Sequence, residues 1–335
     1  MKILITGITG LLGSYLAKEL RALGEIHGLR RKQSSDKLIQ GLDFPIHWHE
    51  GSLADMDALE SALQEIDLVV HCAGLVSFNP ADTDRLYHVN VEGTANLINA
   101  LLNTGVKKLV HVSSVAAIGR SIEAKIIDEN FKWTESPLNT EYAVSKYWGE
   151  LEAWRGAQEG LDVMVVNPSV LLPKVEDERS SASVYQFILK GNSFYPTGNI
   201  NYLDIRDAAE MIRKLIQKEA WGERFILNAA SIPFRDFFEK MATVFQKSAP
   251  TKPAKGLILN LAVFFTGIGR KLGLTDNPLN KKTAKIASQK ITFDGSKAVQ
   301  LLDFEFKSLE DTFCWAKASL SLSCAGKAFI SLEKN

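Results

Sequence analysis

The chain has 335 residues, of which 46% are hydrophobic, and its 39 basic side chains balance its 39 acidic side chains. This length is sufficient for one large domain and a smaller one, each with a buried core. The balanced charge argues against a nucleic-acid-binding surface, which requires clustered positive charge.

The first predicted element is a strand over residues 2–6, which is short and apolar, as buried parallel strands are. Gly7, Gly10 and Gly13 follow at three-residue spacing, and leucines then recur at a near-helical period up to Gly24. Small residues let the backbone approach a pyrophosphate, and a helix N-terminus favours its charge. The segment therefore predicts a dinucleotide site, although a glycine triplet alone is equally compatible with a plain turn.

The second predicted strand, near 25–30, ends in the basic pair Arg30 and Arg31. Sites that prefer NAD usually place Asp or Glu here, where a carboxylate accepts hydrogen bonds from the ribose 2′-hydroxyl. A guanidinium instead suits a 2′-phosphate. We therefore predict NADP rather than NAD as the cofactor; the alternative is that both arginines only solvate the strand end.

A predicted helix further along the chain carries Tyr142 and Lys146, which share a face at i and i+4. A free phenol has a pKa of about 10, and a nearby ammonium lowers that pKa towards the range that general acid–base catalysis needs. A Tyr–Lys pair at this spacing is common by chance. A predicted strand over 106–114 supports a catalytic role for the pair, because it ends in Ser113 and Ser114 and ligands bind at the carboxyl ends of strands in such sheets.

Strands and helices alternate along the chain, which predicts an α/β fold: a Rossmann-type, doubly wound parallel sheet with a smaller C-terminal substrate-binding domain. We expect an NAD(P)-binding domain over 1–170, with 201–230 returning to the sheet, a substrate-binding part over 171–200 and 231–317, and a tail over 318–335. The predicted strands lie near 2–6, 25–30, 45–50, 67–72, 107–113, 162–167 and 223–228, and the helices near 11–23, 55–65, 84–104 and 142–158.

These segments resemble the extended branch of the short-chain dehydrogenase/reductase superfamily, the NAD-dependent epimerase/dehydratase family. Within it, the chain is most similar to dihydroflavonol-4-reductase-like and 3β-hydroxysteroid-dehydrogenase-like members. Further segments match in the same order over about the first 315 residues. They are 67–74, 87–94, 167–173, 202–209 and 294–304, the last with Asp303 in place of a glycine.

The resemblance implies a catalytic set of Ser114, Tyr142 and Lys146, with Ser113 as the alternative serine. Lys146 would lower the pKa of Tyr142 and hold the nicotinamide ribose. Ser52 replaces the family's usual Asp, so a contact to the adenine amino group is in doubt. The implied cofactor residues are Gly7, Thr9, Gly10, Leu11, Leu12, Gly13, Arg30, Arg31, Ser52, Leu53, Cys72, Ala73, Gly74, Asn90, Tyr142, Lys146, Pro168 and Val170.

The predicted function is an NADP(H)-dependent oxidoreductase that reduces a carbonyl or oxidises an alcohol of a small organic substrate. One alternative is a nucleotide-sugar epimerase with tightly bound NAD, and another is an NADP-sensing regulatory protein. A 4,6-dehydratase is disfavoured because Val115 and Ala116 stand where those enzymes carry an acidic pair. The segment 171–200 is expected to cover the substrate. Apolar residues of a substrate pocket could include Val76, Phe78, Phe187 and Tyr195.

The histidines and cysteines give no metal-binding prediction. His47 and His49 share a face of the third predicted strand, but no third ligand is apparent in the sequence. We expect His71 and His111 to be satisfied core residues and Cys72 to pack. Cys72, Cys314 and Cys324 show no disulfide or metal spacing.

The segment 256–269 is strongly apolar but shorter than the about 20 residues of a membrane span. We expect a core helix there; an interfacial helix that touches a membrane is the alternative. Because the first strand begins at residue 2, we predict no signal peptide and a cytoplasmic protein. The resemblance also allows a homodimer through the helices near 84–104 and 142–158.

Overall fold

The computed structural model describes residues 1–177, 180–255 and 280–318 of the chain. Its strands are β1 (Lys2–Thr6), β2 (Glu25–Arg30), β3 (His47–Glu50), β4 (Leu68–His71), β5 (Lys108–Val112), β6 (Ile126–Ile127), β7 (Asp162–Pro168), β8 (Val170–Leu172), β9 (Phe194–Tyr195), β10 (Asn199–Asp204), β11 (Arg224–Leu227), β12 (Ala230–Pro233), β13 (Lys252–Pro253) and β14 (Thr292–Phe293). Its helices are α1 (Leu11–Leu20), α2 (Met56–Ala62), α3 (Thr83–Tyr87), α4 (Gly93–Thr104), α5 (Val115–Ile118), α6 (Glu141–Gln158), α7 (Ser183–Leu189), α8 (Ile205–Gln217), α9 (Phe234–Phe245), α10 (Lys281–Ala287), α11 (Ser296–Leu302) and α12 (309–318).

Seven parallel strands form the central sheet, in the order β11-β7-β5-β4-β1-β2-β3. The order reverses between β1 and β4, since β2 and β3 extend to one side of β1 and the later strands to the other. Such a switch point leaves a crevice at the carboxyl ends of the strands, where doubly wound sheets bind ligands. This arrangement confirms the predicted fold class, including the late strand that joins the sheet as β11.

Both faces of the sheet are covered because alternate side chains of each strand point to opposite sides. Ile3 and Ile5 of β1 join a buried cluster with α1 and α8. Leu4, between them, joins a second cluster with α2, α4 and α6. The continuous apolar run of β1 thus reflects burial on both faces.

A smaller three-stranded sheet, in the order β12-β10-β8, lies beyond the main one. It packs with α7, α9 and α12 around a separate apolar cluster that contains Tyr185, Phe237 and Phe313. The boundaries predicted for a substrate-binding part stay a prediction. The apolar segment 256–269, Cys324 and nearly all of the predicted tail lie outside the described residues. In the ranges that the structure describes, no helix combines the length and apolar character needed to cross a bilayer.

The predicted helix near 84–104 consists of α3, a π-helical turn over His88–Glu92, and α4. α6 crosses this helical run at Gly149. An ideal Cβ on Gly149 would overlap the backbone carbonyl oxygen of Asn90 in the π-helical turn. The absent side chain lets the two backbones touch, and it thereby sets the position of α6.

We expect Gly149→Ala to lower the free energy of unfolding by about 1–3 kcal/mol, the cost of overpacking a tight contact. A backbone oxygen cannot rotate away, so the helix-propensity gain of about 1 kcal/mol does not compensate. Gly156→Ala in the same helix is the matched control, because its nearest atoms are movable methyl groups of Leu161 and Ile98. Urea unfolding measures both; equal stability of the two variants would contradict the prediction.

Candidate active site

The glycine turn after β1 is shaped by close backbone approaches. Gly7 has φ +71°, and an ideal Cβ there would lie 2.6 Å from the backbone nitrogen of Ala73, just after β4. An ideal Cβ on Gly13 would overlap the Gly7 carbonyl oxygen, to which the Gly10 amide donates at 2.8 Å. A side chain at Gly7 would therefore clash with the backbone after β4, and one at Gly13 would clash with the backbone of the turn itself.

The first turn of α1 is open to an anion. Its N-cap residue, Gly10, provides no side-chain cap, and no acidic residue lies in the first turn. Unsatisfied amide groups and the positive end of the helix dipole then face the crevice. Leu11 is half-buried and Leu12 buried, so their side chains hold the helix while their backbone lies at the turn. The residues present fit the pyrophosphate of a dinucleotide.

The two arginines after β2 have different surroundings. Arg30 donates to the Asp36 carboxylate at 2.7 Å, and its guanidinium lies 4.2 Å from the centre of the Trp48 ring. Arg31 is exposed, and its guanidinium forms no hydrogen bond or ion pair within the described part of the chain. Arg30 is thus held against the sheet edge, whereas Arg31 is available to a ligand. Asp36 and Trp48 were not predicted from the sequence as partners of Arg30.

Other predicted cofactor residues follow the carboxyl ends of β3 and β4. The hydroxyl of Ser52 accepts a hydrogen bond from the Ala54 amide at 3.3 Å, and the Leu53 carbonyl accepts from Asn96 at 2.9 Å. The Cys72 amide donates to the Thr6 carbonyl at 3.1 Å, which places Ala73 and Gly74 beside the glycine turn. Burial raises the pKa of the Cys72 thiol to about 12, so this cysteine stays a protonated packing group.

Asn90 joins the loop after β4 to α6. Its side-chain oxygen accepts from the Leu75 amide at 2.7 Å. Its side-chain nitrogen donates to the Leu75 carbonyl and to the Ser145 hydroxyl, both at 2.9 Å. Asn90 is 2% exposed, so these bonds form out of water. The loop at 73–75 is thereby held at a fixed place relative to the helix that carries Tyr142 and Lys146.

Ser114 and Tyr142 meet at the carboxyl end of β5. Ser114 caps α5 by accepting from the Ala116 amide at 3.1 Å, and its hydroxyl lies close enough to the Tyr142 phenol to act on the pKa of that phenol. The Ser113 hydroxyl, in contrast, is buried without a partner in the described residues. Of the two serines, Ser114 is therefore the one brought to Tyr142.

Burial, more than charge, governs the Tyr142 phenol. Burial raises the pKa of Tyr142, while the Ser114 hydroxyl and the Arg120 guanidinium act in the opposite direction. Lys146, expected from the sequence to lower this pKa, is not among the groups acting on Tyr142. Arg120 was missed because a single arginine after a short helix is usually a solvated surface residue.

Arg120 follows α5 and is half-buried. Its guanidinium lies 5.6 Å from the centre of the Phe293 ring. Within the described ranges it forms no ion pair, and burial lowers its pKa to about 10. A poorly hydrated positive charge near Tyr142 stabilises negative charge that develops on the phenol oxygen.

Lys146 is buried below this pair, 6% exposed, and its ammonium donates to the Val112 carbonyl at 3.0 Å. Burial lowers the pKa of Lys146 to about 8, and the nearby Glu150 and Cys72 act in the opposite direction. Glu150 itself is buried in an ion pair with Arg224 and accepts from Asn167 at 2.8 Å. Asn167 also donates to the Ser114 carbonyl at 2.9 Å, so this network ties α6 to the serine.

The two histidines expected in the core differ. His71 is hydrogen-bonded to Thr6 at 2.6 Å and to Thr94 at 3.1 Å, and burial lowers its pKa to about 3, so it stays neutral. His111 lies beside it, but neither of its ring nitrogens has a partner in the described residues. The prediction of a satisfied His111 was therefore wrong.

The remaining predicted residues divide between the site and the core. Pro168 ends β7 and Val170 begins β8, where its side chain is 38% exposed. The Phe78 ring contacts the Tyr142 ring edge-on, with centroids 5.7 Å apart. Val76 is exposed nearby in the same loop. Phe187 and Tyr195 instead pack in the apolar cluster of the smaller sheet.

Comparison with known proteins shows the family of the chain. A model of the NAD dependent epimerase/dehydratase family matches residues 3–230. The chain belongs to this family. A protein of Synechocystis sp. named "Putative dihydroflavonol 4-reductase" is 30% identical over 319 residues, covering 91% of this chain and 90% of that protein. The decarboxylating sterol-4-alpha-carboxylate 3-dehydrogenase of Dictyostelium discoideum is 27% identical, covering 88% and 93%.

Solved structures extend the likeness to the fold. The crystal structure of gox2253 has a TM-score of 0.79 and 27% identity, with 94% of this chain and 96% of that chain covered. These relatives confirm the predicted resemblance to reductase-like and 3β-hydroxysteroid-dehydrogenase-like members of the family. The chain is an enzyme of a family that uses a nicotinamide dinucleotide and acts on small molecules.

The low pKa of Lys146 predicts a pH-dependent stability. An unfolded lysine has a pKa of about 10.4, so between about pH 8 and 10.4 the unfolded chain binds more protons and folded stability rises with pH. Below pH 8 the buried charge costs on the order of 3 kcal/mol. Lys146→Met removes this cost, so its advantage in urea unfolding should shrink as pH rises from 7.5 to 10.

The exposed Lys190→Met serves as the control and should show no such trend. A stability difference between Lys146→Met and the unmodified protein that stays constant from pH 7.5 to 10 would show that Lys146 is not held in this desolvated state.

Proposed function

We propose that this protein is an NADPH-dependent oxidoreductase that reduces a carbonyl group, or oxidises the corresponding alcohol, of a small organic substrate. The Ser114 hydroxyl, which lies beside the Tyr142 phenol, carries the proposal. This pair lies at the carboxyl edge of the sheet, in the same crevice region as the glycine turn, with buried Lys146 at the neighbouring Val112 carbonyl. A proton donor, a hydroxyl that orients it and a dinucleotide turn are what carbonyl reduction requires.

The glycine turn and the start of α1 would hold the pyrophosphate, and Lys146 the ribose next to the nicotinamide. When bound, the nicotinamide supplies or accepts a hydride at the substrate carbon. Tyr142 gives a proton to the substrate oxygen in reduction and takes it back in oxidation. Ser114 donates a hydrogen bond to the same oxygen. Arg120 stabilises the negative charge that Tyr142 carries after it has lost its proton.

The preference for NADP rests on Arg31 and Arg30. A 2′-phosphate needs cationic partners, and Arg31 is an exposed guanidinium without an ion-pair partner among the described residues. Position 52 carries a neutral serine, whose hydroxyl is used by the Ala54 amide. A nucleotide-sugar epimerase that keeps NAD bound would gain nothing from two arginines here, so we favour the reductase over that alternative. A regulatory protein would need no Ser114 hydroxyl beside the Tyr142 phenol.

The substrate that these residues suggest is partly apolar, because Val76 and Phe78 lie on the loop that reaches Tyr142. A homodimer remains part of the proposal. Exposed apolar side chains lie on the helices predicted to form the interface, namely Tyr87, Val89, Val144, Trp148 and Leu151.

We expect Tyr142→Phe to reduce turnover by about 10²–10⁴-fold, since the proton donor is lost, while the affinity for NADPH changes little. Ser114→Ala should act in the same direction. The assay follows NADPH oxidation with a panel of aldehydes and ketones, and fluorescence titration gives the cofactor affinity. Tyr147→Phe, one helical turn away and stacked on Trp133, is the control. Turnover of Tyr142→Phe equal to that of the control would remove Tyr142 from the mechanism.

We expect Arg31→Ala to weaken NADPH binding by about 10- to 100-fold, because one charge-assisted hydrogen bond contributes about 1.5–3 kcal/mol. Binding of NADH should be unchanged, since NADH lacks the 2′-phosphate. Lys32→Ala, next to Arg31 and also exposed, is the matched control. Equal weakening of NADPH and NADH binding, or none, would refute Arg31 as the 2′-phosphate partner while leaving the hydride-transfer proposal intact.

A further inference from the structure

A cluster of imidazole and carboxylate groups lies at the amino end of the sheet, away from the glycine turn. Glu25 and His27 are two residues apart on β2, and His47 and His49 are two residues apart on β3, so each pair shares a face. His27 and His47 are partners in the parallel register of the two strands. The possible ligand atoms of Glu25, His27 and His47 all lie within 4.8 Å of one another.

His27 has an unused nitrogen in this cluster. Its Nδ1 is hydrogen-bonded to Nε2 of His49 at 3.0 Å. Its Nε2 is buried and has no hydrogen-bond partner among the described residues. The whole residue is 9% exposed, so water does not readily compensate. A buried polar atom without a partner costs free energy, which requires an explanation.

The position of Glu25 makes the unpartnered nitrogen of His27 more costly. Its carboxylate oxygen lies 4.0 Å from Nε2 of His27, beyond hydrogen-bond distance. When His27 donates through Nδ1 to His49, its Nε2 carries a bare lone pair that faces a negative carboxylate. Two acceptors that face each other across such a gap are stabilised by a cation between them.

We propose that Glu25, His27 and His47 bind one divalent first-row transition metal ion, with His49 as the residue that orients His27. Two imidazole nitrogens and one carboxylate oxygen form a donor set that suits Zn²⁺ and is poor for Mg²⁺ or Ca²⁺, which prefer oxygen ligands. Zinc bonds to nitrogen and oxygen are about 2.0–2.2 Å long. The exposed side chains of Glu25 and His47 can rotate by the small distance needed.

The surroundings leave access for the ion. A surface cleft of about 490 Å³ lies beside the cluster and is lined by Glu25 and His47 together with Phe44 and Arg21. Water in this cleft can provide the fourth ligand. His49 is hydrogen-bonded to the other ring nitrogen of His27, and such a bond commonly fixes the orientation of a histidine ligand.

A metal at this place would join β2 to the edge strand β3. Both strands contribute ligands, so the ion binds the folded sheet and not the unfolded chain, and it stabilises the fold by mass action. The cluster lies at the opposite end of β2 from Arg30. The site is therefore separate from the proposed reaction, and its failure would not affect that proposal.

The test uses the full chain without a histidine tag. We expect one Zn²⁺ per chain in competition with a chromogenic chelator, and a rise in the unfolding temperature that EDTA reverses and Mg²⁺ does not reproduce. Glu25→Gln and His47→Gln, both at exposed positions, should each lose the binding. His49→Gln should weaken Zn²⁺ binding by about 10- to 100-fold, as the loss of a residue that orients a metal ligand commonly does.

His88→Gln is the matched control, because His88 and Glu92 form an exposed imidazole–carboxylate pair elsewhere on the surface, 2.6 Å apart. That variant should bind Zn²⁺ like the unmodified protein. The proposal is overturned if no Zn²⁺ binds, or if Glu25→Gln and His47→Gln bind it as well as His88→Gln does, since the ion would then be held adventitiously elsewhere.

Discussion

The buried side chain of Asn90 holds together the parts from which the candidate active site is built. Its amide group bridges the backbone at Leu75, just after β4, and the Ser145 hydroxyl of α6. Because the amide is out of water, no solvent competes for these bonds, and loss of one partner would leave buried polar atoms unpaired. The carbonyl oxygen of the same residue touches Gly149 of α6. One residue thus fixes the loop after β4 relative to the helix that carries Tyr142 and Lys146.

The buried surroundings of the site have opposite effects on its two titratable groups. Burial raises the pKa of the Tyr142 phenol and lowers the pKa of the Lys146 ammonium, so each is moved towards its neutral form. The protein partly offsets this effect with the Arg120 charge near Tyr142 and the Glu150 carboxylate near Lys146. A dinucleotide bound as proposed would add its own negative phosphates and polar ribose groups to this crevice. It would thereby favour the charged form of Lys146, on which the proposed ribose contact depends.

Local sequence patterns predicted the fold and led to the residues of the candidate site, because the causes of these patterns are local. The apolar run of β1, the glycine spacing after it and the i, i+4 pair on α6 follow from strand burial, close backbone approach and helical period. Arg120, Asp36 and Trp48 were not predicted as partners of Tyr142 and Arg30. The contacts of Arg120 with Tyr142 and of Arg30 with Trp48 join residues that are distant in the chain and meet only in the folded sheet.

The histidine cluster also could not be predicted from local sequence patterns. His47 and His49 were visible as a pair on one strand, yet a third ligand was not, since Glu25 and His27 precede them by some twenty residues. Only the parallel pairing of β2 with β3 brings the four side chains to one face. The register that pairs Arg30 with Glu50 also pairs His27 with His47. It brings the Trp48 ring under the Arg30 guanidinium as well. A one-residue slip of β3 would turn His47 and His49 to the other face and bring Trp48 to theirs. The contact between Trp48 and Arg30 and the proposed metal site therefore depend on a single register, and a bound ion would hold that register from the amino end.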